Sequence, residues 1–73
     1  MQKITLTETS KAVGKKIVDL QIPATVNMLA IKRSDVYIAP NGSTKLHAND
    51  ILYVLAEDKR ALQSLGQSLD ITL

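Results

Sequence analysis

The sequence predicts an α+β domain, a small and mostly antiparallel sheet with two helices, in the order β-α-β-β-β-α. Three observations predict it. Residues 2–7 alternate polar and apolar side chains. Short apolar runs at 26–31 and 51–56 are bounded by turn residues. Two other stretches space their apolar residues three and four apart.

Ile4 and Leu6 fall on one face of the first strand, as half-burial requires. The polar stretch Thr7-Glu8-Thr9-Ser10 breaks it. Val13, Ile17 and Leu20 then recur at helical spacing, with Lys15, Lys16 and Asp19 opposite. This predicts a helix of about two turns. It ends near Gln21, because Pro23 drives the residue before it out of the helical region. Residues 26–33 form the second strand, and Val26-Asn27-Met28-Leu29-Ala30-Ile31 is apolar enough to predict burial on both faces. Ser34-Asp35 reads as a tight turn. Residues 35–39 form the third strand, with Val36 and Ile38 on one face and Tyr37 on the other, so the pair makes a hairpin.

Pro40-Asn41-Gly42-Ser43 is the strongest turn signal in the chain. Leu46 follows as an isolated apolar residue, and Asn49-Asp50 makes a further turn. Residues 51–56 form the most hydrophobic strand, expected at the centre of the sheet. Glu57-Asp58 opens the second helix with acids at the positive end of its dipole. Ala61, Leu62, Leu65 and Leu69 supply its apolar stripe, and Gly66 within it costs about 1 kcal/mol relative to Ala. Ile71 and Leu73 suggest a last short strand.

At 73 residues the chain is one domain. A domain this small buries only about 60% of the surface its unfolded chain exposes, so its core needs a staple or a partner. With no Cys, disulfides and thiolate metal sites are excluded. Self-association is the remaining common solution. The longest apolar run, at 51–56, is far short of the roughly 18 residues of a membrane span. Met1-Gln2-Lys3 leads into alternating residues, not into the apolar core of a signal peptide.

Catalytic chemistry is not legible. A nucleophilic triad needs a His base, and the single His, His47, has no recognisable partners in sequence. His47 with Asp50 supplies too few ligands for a structural zinc site. Gly14-Lys15-Lys16 resembles the end of a phosphate-binding loop, but Thr9 stands where the first Gly belongs and Lys16 replaces the hydroxyl residue. Asn41-Gly42-Ser43 matches a glycosylation acceptor pattern and reads as a turn. The expectation is a non-catalytic binding module, with no catalytic or metal-ligating residues and no resident cofactor. A net charge of +2, a pI near 9.1 and the cluster Lys11, Lys15, Lys16 raise a nucleic-acid-binding β-domain as a lesser alternative. Against it, Tyr37 and Tyr53 are the only aromatics available for base stacking, so nucleic acid is not an expected partner.

Residues 10–69 resemble the TrkA-C domain, the C-terminal half of the RCK modules that regulate bacterial potassium channels and transporters. Val13-Gly14-Lys15 with Ile17 and Leu20 is similar to the family's opening, G-(K/R)-x-(L/I)-x-x-L, and Ile22-Pro23 to the L-P after it. Leu29-Ala30-Ile31-Lys32-Arg33 resembles the x-A-I-x-R strand and Ile38-Ala39-Pro40 the I-x-P. Gly42-Ser43-Thr44-Lys45-Leu46 resembles G-x-T-x-L, and Asn49-Asp50-Ile51-Leu52-Tyr53-Val54 resembles G-D-x-L-x-V. The run is most like copies appended to NhaP-type monovalent cation/proton antiporters, with Trk potassium-uptake subunits second. Asn49 departs from the family's Gly, but Asn tolerates left-handed backbone angles.

The resemblance implies a single TrkA-C-like regulatory domain over residues 1–73, a piece of a larger transporter chain. It implies a homodimer on the cytoplasmic side of the bacterial inner membrane, linked to or associated with a membrane transport domain. It also implies sensing of a small nucleotide or cation, cyclic di-AMP in some relatives. By position, Arg33 is the candidate for a phosphate, Ile38 and Pro40 for the walls of a base, and His47 for a hydrogen bond to a phosphate or base edge. The alternative is a purely structural dimerisation module.

Overall fold

Four strands form one antiparallel sheet in the computed structural model, which describes residues 1–71. In chain order these are β1 (Gln2–Thr5), β2 (Val26–Arg33), β3 (Val36–Ile38) and β4 (Ile51–Ala56), with a single 3-10 turn (Ile17–Leu20) after β1 and one helix, α1 (Lys59–Leu69), after β4. The spatial order is β1-β4-β2-β3, so the most hydrophobic strand is central, as expected. β4 meets β1 with Ile4 opposite Leu52, and meets β2 with Ile31 opposite Leu52. These three residues therefore share a face and meet the helix side of the core.

The core is Leu6, Ile31, Leu46, Leu52, Val54, Leu65 and Leu69, each fully buried, with Ile4, Leu20, Val26 and Ala61 beside them. Each buried aliphatic side chain of this size contributes roughly 1.5–3 kcal/mol. α1 begins at Asp58, whose carboxylate accepts from the Ala61 N–H at 2.8 Å. That satisfies one of the orphan donors of the first turn. The helix ends in a left-handed Asp70 (φ 56), with the Ile71 N–H bonded to the Gly66 carbonyl. The strand expected from Ile71 to Leu73 falls mostly outside the described residues.

Two expectations change. The first helix is a 3-10 turn of four residues. Gly14 adopts φ +86, and the backbone donors that a helix would use internally go across the chain instead. Gly14 N–H bonds Leu46 C=O, Leu46 N–H bonds Lys15 C=O, Ile17 N–H bonds Thr44 C=O and Val18 N–H bonds Gly42 C=O. Residues 14–18 and 42–46 thus form a two-stranded arch. Leu20 still reaches the core, and Ile17 packs against it from a half-buried position. β2, in turn, is not buried on both faces: Val26 and Ile31 are buried, but Asn27 is exposed and Leu29 is 49% exposed. One long helix covers only one face. The ladder also slips between Met28 and Ala30, where Leu29 is the extra residue of a bulge.

The uncovered face carries Lys32 and Tyr37, which are paired across β2 and β3, and Tyr53 of β4. The two tyrosine rings lie 6.1 Å apart, and the Lys32 ammonium sits 5.8 Å from the Tyr37 ring centre. Ser34 and Asp35 both take positive φ (48 and 66), the type I′ geometry that suits a two-residue hairpin.

Candidate functional site

The polar centre of the molecule lies where β2 ends, the arch passes and β4 begins. Asp50 stands two residues before Leu52 and four before Val54, both core residues of β4. The two-residue period of a strand aims such a side chain at the core, and Asp50 is 1% exposed. A carboxylate there must be paired and hydrogen-bonded. Arg33, two residues after the buried Ile31, supplies the partner. Its Nε donates to Asp50 Oδ1 at 2.8 Å and its Nη2 to Oδ2 at 2.8 Å. The His47 N–H adds a third bond to Oδ2 at 2.9 Å. Arg33 Nη2 also donates to the Lys45 carbonyl at 3.0 Å, tying the arch to the strand end.

The turn that delivers Asp50 is held from its other side. Leu6, just past β1, bonds Asp50 C=O through its N–H and accepts from the Asn49 N–H. Asn49 is left-handed (φ 70), a conformation Asn tolerates well. Burial pushes the Asp50 carboxyl up. The hydrogen bonds from Arg33 and from the His47 backbone, with the Arg33 charge, outweigh burial and hold it below the ordinary carboxylate value. The hydrogen bond to Asp50 raises Arg33 in turn, against a smaller opposing effect of burial.

The structure brings two of the four sequence-predicted residues together. Arg33 and the His47 backbone share one oxygen of Asp50, while the His47 side chain is exposed. Arg33 is no free strand-end charge: two of its guanidinium nitrogens are engaged, and Nη1 makes no hydrogen bond among the described residues. Ile38 lies opposite Ile31 in the hairpin, half-buried against the core. Pro40, also half-buried, leads from β3 into the arch. Neither is hydrogen-bonded to the ion pair. Two open grooves of about 430 and 460 Å³ lie elsewhere, one between the 3-10 turn and α1 and one beside β1, and none of the four residues lines either.

Asp50 is the residue that sequence reasoning read as part of a turn and weighed only as an insufficient metal ligand beside His47. Its signal was the alternation Asp50, Leu52, Val54, which sets a charge in phase with core positions. Arg33 in phase with Ile31 is the matching signal on β2.

Known proteins resemble this chain in sequence and fold. The model of the TrkA-C domain family matches residues 1–65. The K(+)/H(+) antiporter NhaP2 of Shewanella baltica (strain OS223) is 37% identical over 61 residues, 84% of this chain. The chain spans 10% of that relative's length. The RCK C domain of the potassium transport protein KtrA, solved with cyclic di-AMP, is 32% identical, with a TM-score of 0.73 over 90% of this chain and 78% of that one. The RCK_C domain dimer of S. agalactiae BusR, also solved with c-di-AMP, has the same fold: its TM-score is 0.78 at 18% identity, covering 96% of this chain and 89% of that one. On the match over residues 1–65 and the identity to NhaP2, the chain belongs to the TrkA-C domain family.

Proposed function

We propose that this chain is the ligand-sensing and dimerising regulatory domain of a bacterial monovalent cation/proton antiporter or potassium transporter, one part of a longer chain and working on the cytoplasmic side. The observation that carries this reading is the 32% identity, over 90% of the chain, to a KtrA domain solved with cyclic di-AMP. The antiporter assignment rests on the 37% identity to NhaP2. Among the described residues no helix is long and apolar enough to cross a membrane, so the transport step belongs to the attached part.

The homodimer is supported by the uncovered sheet face, with Tyr37 64% and Leu55 47% exposed, and by the BusR domain of the same fold, which was solved as a dimer. A cleft between two protomers suits a dinucleotide, since the two grooves described above within one protomer are not lined by the candidate residues. In that cleft Ile38 and Pro40 would wall a base, the His47 ring would bond a base edge or phosphate, and Arg33 Nη1, which is unbonded among the described residues, would reach a phosphate oxygen. Ligand binding then favours one geometry between protomers, and the attached transport domain follows that shift.

Calorimetry with cyclic di-AMP, together with light scattering, tests this. The expected result is a dimer at micromolar concentration that binds one dinucleotide per dimer. His47→Ala should weaken binding about tenfold, the loss of one hydrogen bond to a charged group. Silence from cyclic di-AMP, other nucleotides and cations, with the dimer intact, would reduce the domain to a structural dimerisation module. A monomer would overturn both readings.

A further inference from the structure

Lys16 and Lys45 are directly opposed in the arch. Their pairing is an isolated antiparallel bridge. Its flanking hydrogen bonds, Leu46 N–H to Lys15 C=O and Ile17 N–H to Thr44 C=O, are both 3.0 Å. Those bonds bracket the pair without belonging to it, so the two lysines occupy the narrow, non-hydrogen-bonded position of an antiparallel ladder. There the Cα atoms approach to about 4.5 Å and the side chains stand side by side on one face. Like charges so placed repel and cost stability. Both residues are exposed, and neither lies within ion-pairing distance of a carboxylate among the described residues. The nearest acids along the chain, Glu8 and Asp19, form no ion pair among the described residues, and Asp50 is spent on Arg33.

The backbone beneath this pair is held in place. Gly14 N–H bonds Leu46 C=O at 2.7 Å, and Arg33 Nη2 holds the Lys45 carbonyl at 3.0 Å. Lys11 and Lys15 add positive charge from the neighbouring turn. The fold therefore sets two lysine side chains on one face of a fixed base, with no ion pair to either among the described residues, a disposition that an anion with two adjacent oxygens relieves.

We propose that Lys16 and Lys45 form a phosphate-binding pair, a set of residues different from the strand-end constellation of Arg33 and His47 that it adjoins through the Arg33–Lys45 hydrogen bond. Its ligand is a phosphate group, whether free, part of a nucleotide or on a lipid head. The pair does not require the ligand-sensing reading to be right.

The test is a titration of the ¹⁵N-labelled 73-residue chain with pyrophosphate, with sodium chloride of equal ionic strength as the control. Parallel arms use cyclic di-AMP, and vesicles of phosphatidylglycerol against phosphatidylcholine. Pyrophosphate or phosphatidylglycerol should shift the amides of Lys16, Ile17, Thr44 and Lys45, and chloride should not. Lys16→Gln should weaken binding about tenfold, as expected for one charged contact, and the K16Q/K45Q double variant should abolish it. With the repulsion gone, the double variant should melt no lower than the parent in phosphate-free buffer.

A response to pyrophosphate assigns a free phosphate, and a response to phosphatidylglycerol alone assigns a lipid head. Silence from both, an equal response to chloride, or undiminished binding by the double variant overturns the proposal. Failure of the cyclic di-AMP arm with a live pyrophosphate response removes the effector reading and leaves this pair standing.

Discussion

The covered face of the sheet and the crossing at the end of β2 hold the molecule together in different ways. On the covered face, Ile4, Ile31, Leu52, Val54, Leu65 and Leu69 spread the stabilisation over many weak contacts, and no single pair is required. At the crossing, one carboxylate takes three hydrogen bonds, and one guanidinium reaches both Asp50 and the arch. The first region tolerates exchange among aliphatic residues of similar volume. The second is all or nothing, because a buried charge without its partner costs far more than the pair contributes.

The largest expected effect breaks the crossing. Arg33→Met keeps the aliphatic stem but strands the Asp50 carboxylate, at a cost of roughly 3–5 kcal/mol. That is comparable to the whole stability of a domain this size, about 3–5 kcal/mol. Chemical denaturation should find the variant largely unfolded at neutral pH. The double variant R33M/D50L should recover most of the loss, and a double variant no better than R33M would show that shape, not charge, governs the site.

The same comparison carries a pH signature. In the parent, the folded state lowers the Asp50 value. The stability this contributes is complete above the ordinary carboxylate value and is lost as pH falls through the lower folded one. In R33M the two Arg33 contributions that lower the Asp50 value are gone, so that value rises relative to the parent and the deficit against the parent should shrink on acidification.

Leu65→Ala probes the other region. It leaves a cavity beneath α1 and should cost roughly 2–5 kcal/mol. Its deficit should stay flat across the same acid range, since no titrating group changes partner. A deficit that shrank with acid, as in R33M, would mean that the two regions are coupled.

The smallest effect lies in the β2–β3 turn. Ser34→Asn with Asp35→Gly supplies the residues that a type I′ turn prefers. By relieving the left-handed backbone at Ser34 and Asp35 it should stabilise the chain, by up to about 1 kcal/mol, read as a small rise in Tm. A loss instead would mean that Ser34 or Asp35 serves a contact outside this chain.

Much of the fold was legible in the sequence. The hairpin, the central place of β4, the start of α1 and its buried stripe all follow from alternation, helical spacing and turn residues. These are local signals, set by backbone geometry within a few neighbours. The misread helix at 13–21 shows where such signals fail. Spacing of four and three suits a helix, yet it equally suits an arch whose apolar residues face the core. Gly14 in its left-handed conformation, with Leu46 accepting its N–H, tips the balance toward the arch. Leu46 looked isolated in sequence because its backbone partners, Gly14 and Lys15, lie more than 30 residues earlier. Of the candidate site, Arg33 and His47 were named by position, but the residue joining them was read as a turn.

The sequence by itself determined the class of fold, the strand order along the chain and, through the motif series from Gly14 to Val54, the family. Only the tertiary structure decided which charges meet. Arg33 and Asp50 are separated by 17 positions, and Lys16 and Lys45 by a whole hairpin. Periodicity sets the face on which a side chain stands, whereas strand order and arch closure set what stands opposite it. One opposition yields a satisfied ion pair, and the other leaves two lysines with no ion pair among the described residues.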